Sequence, residues 1–285
     1  MKKYEISAFA DEYSSNPDTQ INMLCRNGIT CIEPRFIGKK NVSELDIDEY
    51  KELGRKLDSA GIKVPSIGSP LGKISLDGDI ENHLETARKV FEGANILGAE
   101  GVRVFSFYPH KGIPIANSRG EVLNNLGLIL ELAERFGVTL CHENEAEIYG
   151  ESPESCLDIL DYFGGKLRAV FDMGNFVLCG FDPMEAYLKL RPYIEYFHIK
   201  DALFAGAIVP PGKGEAMIPE ILRDYAVSVG KKTAITLEPH LETFGGLNKL
   251  VGRSFENPYK FDSPEEAFLT ALDNLKGILN NINIS

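Results

Sequence analysis

Four side chains in the second half of the chain have the types that hold a cation or move a proton, and each follows an apolar run. Glu143 closes VTLCHEN, Asp172 closes LRAVFD, His198 lies in IEYFHIK and Glu238 ends TAITLEP. Three carboxylates and an imidazole gathered in a half-buried place would repel one another and lose their hydration, unless a divalent cation compensated them. Three oxygen donors and one nitrogen, with room left for substrate oxygens, suit Mn²⁺, Mg²⁺ or Co²⁺ better than a closed, thiolate-rich zinc site, although zinc stays among the candidates. Any one of these acids taken alone is more often a helix cap or half of an ion pair. It is the recurrence at four successive runs that points to a shared site.

These residues need elements to bring them together. Eight β-branched or aromatic runs can be picked out, at 4–10, 29–34, 62–68, 102–107, 138–144, 167–172, 194–200 and 233–239, each separated from the next by a helix-patterned stretch. Helix starts are signalled by Asn16-Pro17, Ser152-Pro153, Asp182-Pro183 and Ser263-Pro264, with Glu185 and Glu266 at capping-box spacing. Gly28, Gly61, Gly101, Gly137, Gly165 and Gly230 precede strands, where a left-handed residue can end a helix. Strand and helix alternating eight times predict a closed parallel (β/α)8 TIM barrel, for which ~250 residues is typical. An open doubly wound sheet is the runner-up, and no G-x-G-x-x-G turn follows the first run to favour it. No linker or low-complexity segment divides the chain, so residues 1–285 are expected to form one domain.

In such a barrel the loops after the strands build the active site, and inward residues alternate with outward ones. Period-two parity groups Glu143 with Cys141 and Thr139, Asp172 with Val170, His198 with Tyr196, and Glu238 with Thr236. All four can therefore face the axis. His142 has the opposite parity and is expected to bond structurally toward the helices.

The formal net charge of −12, from 42 acidic and 30 basic residues, disfavours a nucleic-acid partner. No apolar segment approaches a membrane span or a signal sequence, and five cysteines without a C-x-x-C pair fit reduced thiols, so a cytoplasmic protein is expected. A homo-oligomer is left open.

The motifs FADE, HENE, FDMGN, FHIKDA, VPPGKGE and LEPHL, spread over most of the chain, resemble those of the sugar phosphate isomerase/epimerase superfamily. These xylose isomerase-like TIM barrels include ketose 3-epimerases, inosose dehydratase and endonuclease IV. The resemblance implies one divalent metal held by Glu143, Asp172, His198 and Glu238. It also implies that Glu143 and Glu238 remove and return a proton on opposite faces of a sugar, through a metal-stabilised enediolate. Asn175 departs from the epimerases' pattern, which has a substrate-holding histidine there; an amide can bond a hydroxyl but cannot take a positive charge. That departure keeps a lyase acting on a cyclitol or keto-sugar in view, beside a sugar-binding barrel without catalysis. Substrate contacts are expected from Arg35, Asn175, Lys200 and His240. The stretch 209–215 lacks the spacing of a phosphate loop and is expected to be a lid or a helix-entry turn, and 244–261 is expected to cover substrate or form a subunit contact.

Overall fold

The computed structural model describes residues 3–241 and 258–282, so most of the expected cover at 244–261 lies outside the described residues. Seven parallel strands form one curled sheet in the order β1 (Tyr4–Ala8), β11 (Thr233–Leu237), β8 (Ile194–Ile199), β7 (Arg168–Asp172), β6 (Thr139–Glu143), β5 (Gly101–Val104) and β4 (Ser66–Ile67). Helices α1 (Pro17–Arg26), α2 (Ile47–Ala60), α3 (Ile80–Leu97), α4 (Arg119–Phe136), α5 (Pro153–Tyr162), α6 (Met173–Leu178), α7 (Pro183–Leu190), α8 (Ile218–Ser228) and α9 (Pro264–Asn281) follow in chain order.

The second run, 29–34, is not a strand of its own but still closes the barrel. Cys31 and Lys63 form a single parallel bridge, the Ile32 N–H donates to Lys63 O at 2.9 Å, and the Glu33 N–H donates to Ala8 O at 3.1 Å. The run thus joins the β4 edge to β1. Pro34 and Pro65 each lack the N–H that a longer ladder would need, which keeps pairing here to fragments.

The caps behave as the sequence implies. Asn16, Ser152, Asp182 and Ser263 accept backbone N–H groups of their own first turns. Glu266, however, reaches back to the N–H of Asp262, one residue before the cap. Among the expected stop glycines Gly101 is the exception: it opens β5, and Gly98, at φ 64°, ends α3 in its place. Small hairpins decorate the rim, β2 (Phe36–Ile37) with β3 (Lys40–Asn41) and β9 (Asp201–Ala202) with β10 (Ile208–Val209).

Parity is confirmed inside the barrel. Cys141, Val170 and Tyr196 pack together with Ala234 as a small cluster apart from the main core, which lies between sheet and helices. The next inward residue on each of these strands is Glu143, Asp172, His198 or, after Thr236, Glu238. His142 faces outward as expected, but its Nε2 is buried without a hydrogen-bond partner, contrary to a structural bonding role for that atom. No helix among the described residues is long and apolar enough to cross a membrane.

Candidate metal centre

The C-terminal strand ends deliver Glu143, Asp172, His198 and Glu238 to one buried place, with one potential ligand atom from each lying within 4.8 Å of all the others. Asp172 ends β7 and caps α6, so its Oδ1 accepts the Asn175 N–H at 2.8 Å while Oδ2 accepts Lys200 Nζ at 2.9 Å. Asn144 splices the neighbouring strand ends, accepting the Asp172 N–H at 3.0 Å and donating to Asp172 O at 2.9 Å. His198 turns Nδ1 toward the acids, 2.6 Å from Glu143 Oε1 and 3.1 Å from Glu238 Oε2, and Nε2 toward Glu33 Oε2 at 3.2 Å.

The two glutamates are held alike. Arg103 donates to Glu143 Oε2 at 3.0 Å, Arg35 donates to Glu238 Oε1 at 3.2 Å, and both guanidinium carbons lie over the Phe9 ring, at 5.1 and 4.3 Å. One oxygen of each glutamate is thereby anchored, and the other turns to His198. Glu238 Oε2 is buried and makes no hydrogen bond, its approach to Nδ1 being off the donor direction.

Arg35 also donates to Asp11 Oδ2 at 2.9 Å and Glu12 Oε1 at 3.1 Å, and NH1 lies 3.3 Å from His240 Nε2. All its donors are taken within the protein. In the Asn175 amide, Nδ2 donates to Asn144 O at 2.9 Å and Oδ1 accepts from Lys200 at 3.0 Å. Each polar side-chain atom of the two residues is thus engaged within the protein, Arg35 with all of its donors. Lys200 and His240 do border the acids, Lys200 at 3.6 Å and His240 at 3.4 Å from Glu238. His240 adopts φ 46°, a left-handed conformation uncommon for histidine, with its N–H donated to Glu12 Oε2 at 2.7 Å.

The electrostatics test whether a cation fits. Around the site Asp11, Glu12, Glu33, Glu143, Asp172 and Glu238 are all buried, against Arg35, Arg103 and Lys200 as fixed cations; among these groups that leaves three carboxylates uncompensated, or two if His198 carries a charge. Burial raises Asp172, reinforced by Glu238 and Glu143, and raises Glu12 to about 8. Against burial, Glu143 and Glu33 hold His198 well above its ordinary range. A divalent cation would relieve this excess, and Glu238 Oε2 is a buried acceptor still wanting a partner. The donors therefore fit the group. A second cluster, Glu12, Glu238 and His240, also brings donor atoms within 4.8 Å, but the Arg35 guanidinium already touches all three.

Three further observations concern residues outside the four strand ends. Glu33, in the run 29–34, and the Asp11–Glu12 pair of the FADE motif belong to the site. The 209–215 stretch is a turn entering α8, pinned by Asp201, whose carboxylate accepts the N–H groups of Gly212, Gly214 and Ala216. His110 lies away from the centre, between Asp77 and Glu121 at 2.6 Å each.

The profile of the Xylose isomerase-like TIM barrel family matches residues 24–240. The chain belongs to that family. A curated relative of this xylose isomerase-like barrel is the 3-dehydroshikimate dehydratase of Bacillus anthracis, 24% identical over 184 residues; the match spans 64% of this chain and 65% of that protein, just under two thirds of its length. Among solved structures, D-psicose 3-epimerase with D-tagatose from Clostridium cellulolyticum superimposes with a TM-score of 0.73 at 13% identity, covering 96% of this chain and 99% of that one. The IolI protein with a bound zinc atom gives a TM-score of 0.73 at 16% identity over 100% of both chains. At such identities these structures share the fold.

Proposed function

We propose that this xylose isomerase-like barrel is a divalent-cation-dependent sugar isomerase or epimerase in which Glu143 and Glu238 carry the proton. The observation that carries this reading is the matched pair of glutamates, each with one oxygen clamped by a buried arginine and the other turned to a shared cluster. Pure binding needs no such pair. Held by Glu143, Asp172, His198 and Glu238, a divalent cation would polarise a carbonyl and a neighbouring hydroxyl oxygen, acidifying the carbon beside them. Glu238, with Oε2 free of hydrogen bonds, removes the proton; Glu143 returns one, its orientation kept by Arg103. Lys200 and His240 contact substrate oxygens, while Arg35 and Asn175 serve by positioning Glu238 and Lys200.

A second reading has its own support. The relative in Bacillus anthracis is a dehydratase, and the Lys200 ammonium beside Glu238 could protonate a departing hydroxyl. NMR in D2O with manganese or zinc and a panel of ketoses, inososes and 3-dehydroshikimate separates the two. Deuterium at an altered stereocentre, or aldose–ketose conversion, is the expected result; loss of water assigns the lyase, and no exchange with Glu143→Gln matching wild type on every compound refutes both.

A further inference from the structure

We propose that Glu33 is the positioning residue that sets which nitrogen of His198 faces the cation site. The inference rests on the cation-site reading above. Glu33 enters from the fragment that stands in for a second strand, anchored by its N–H to Ala8 O at 3.1 Å, and it is 1% exposed. Its Oε1 accepts the Tyr196 hydroxyl at 2.9 Å, and its Oε2 accepts the Thr236 hydroxyl at 2.6 Å and His198 Nε2 at 3.2 Å. Tyr196 is itself tied to Ser66 Oγ at 3.0 Å. Glu33 is thus the floor of the site, braced from three sides of the barrel.

Two features make this more than a convenient hydrogen bond. Of the six carboxylates buried around the candidate cation site, Glu33 is the one that makes no direct ion pair with a lysine or arginine among the described residues, and its charged contact is His198. In addition, a carboxylate accepts only. Carboxylates face both ring nitrogens, Glu143 Oε1 at 2.6 Å from Nδ1 and Glu33 Oε2 at 3.2 Å from Nε2; with a cation on the Glu143 and Glu238 side, the one N–H of a neutral imidazole is kept on Nε2 by Glu33 and the Nδ1 lone pair is left for the cation. Carboxylate partners of this kind fix the tautomer and ring orientation of a metal-binding histidine, and losing one typically costs ~10–100-fold in affinity. Glutamine at this position can turn its NH2 toward Nε2, which selects the opposite tautomer and points Nδ1–H at the cation.

Zinc is titrated by calorimetry, with a competing chelator, into wild type and Glu33→Gln, and ¹⁵N-histidine NMR is recorded on zinc-loaded wild type. We expect a Glu33→Gln affinity ~10–100-fold weaker, and a His198 signal with the proton on Nε2 and zinc on Nδ1. Equal zinc affinities, or zinc on Nε2, overturn the assignment while leaving the cation site intact. Wild type that takes up no zinc overturns the site reading and this assignment with it. If Glu33→Gln does not fold, the NMR arm on wild type decides alone, because a merely structural Glu33 would not constrain which nitrogen carries the proton.

Discussion

Replacing Arg103 by methionine tests the charge balance of the site directly. Arg103 is 5% exposed and donates to Glu143 Oε2 at 3.0 Å, to Ser69 O at 3.1 Å and to Gly68 O at 3.0 Å. Methionine keeps much of the aliphatic stem against Phe9 and Phe105 but leaves the Glu143 charge and two carbonyls without their donor. Removing one partner of a buried ion pair costs roughly 3–5 kcal/mol, a large share of the ~5–15 kcal/mol that holds a typical domain folded. That is the expectation without a divalent cation. With saturating manganese or zinc the loss should shrink, because Glu143 then has a second positive partner. Linkage requires the variant to bind the cation correspondingly more tightly, and a coupling of about 1–3 kcal/mol means a gain of roughly 5–150-fold. Urea unfolding with and without cation, beside a chelator-competition titration, reads both sides of the cycle. An identical destabilisation in the two conditions, or a weaker cation affinity in Arg103→Met, would refute the argument that Glu143 is shared between Arg103 and a cation.

Two further perturbations probe the surrounding frame. A Cβ on Gly174 would stand 2.8 Å from both the Lys200 carbonyl oxygen and its Cγ, so Gly174→Ala should displace Lys200 and cut turnover at least tenfold while circular dichroism stays native; unchanged kinetics would show that Lys200's placement is not critical. His83 accepts the Gly72 N–H on Nε2 at 2.9 Å, and burial lowers its pKa below the ordinary histidine value. Below the unfolded value of ~6.5 the unfolded chain binds this proton more readily than the folded one, so stability is lost as pH falls, by at most about 1.4 kcal/mol per pH unit. His83→Gln, which keeps an acceptor but does not titrate, should flatten the acid side of the urea-stability profile between pH 6.5 and 5; profiles parallel to wild type would contradict this.

Period-two parity made the four strand-end residues readable from sequence, because a one-residue shift in any run would have turned its side chain outward. The helix caps were equally legible, since Asn16, Ser152, Asp182 and Ser263 act within their own first turns. What escaped were contacts made across the barrel. Arg35 reaches Glu238 over 203 positions, and Glu33 reaches His198 over 165, so local spacing carries no trace of either. The sequence placed Arg35 and Asn175 among the expected substrate contacts but carried no sign that protein groups would engage each of their polar atoms. The fragmentary second strand follows from Pro34 and Pro65, whose missing donors outweigh the β-branched pattern between them.

The two glutamates are alike in their arginine clamps yet unequal at their inner oxygens, and that inequality orders the chemistry. Glu143 Oε1 lies 2.6 Å from His198 Nδ1, whereas Glu238 Oε2 has the ring nitrogen at 3.1 Å off axis, and Lys200 at 3.6 Å. Lys200 is the leading influence that holds Glu238 well below the ordinary carboxylate range against burial, which keeps it ionised and able to accept. In the proposed reaction Glu238 is therefore the better starting base and Glu143 the better-ordered partner. A barrel under selection for stability alone would replace such a pair with apolar residues, since a surplus of buried carboxylates destabilises the fold. Their presence at the ends of β6 and β11, each backed by its own arginine against one phenylalanine ring, is what the proposed cation and travelling proton would require.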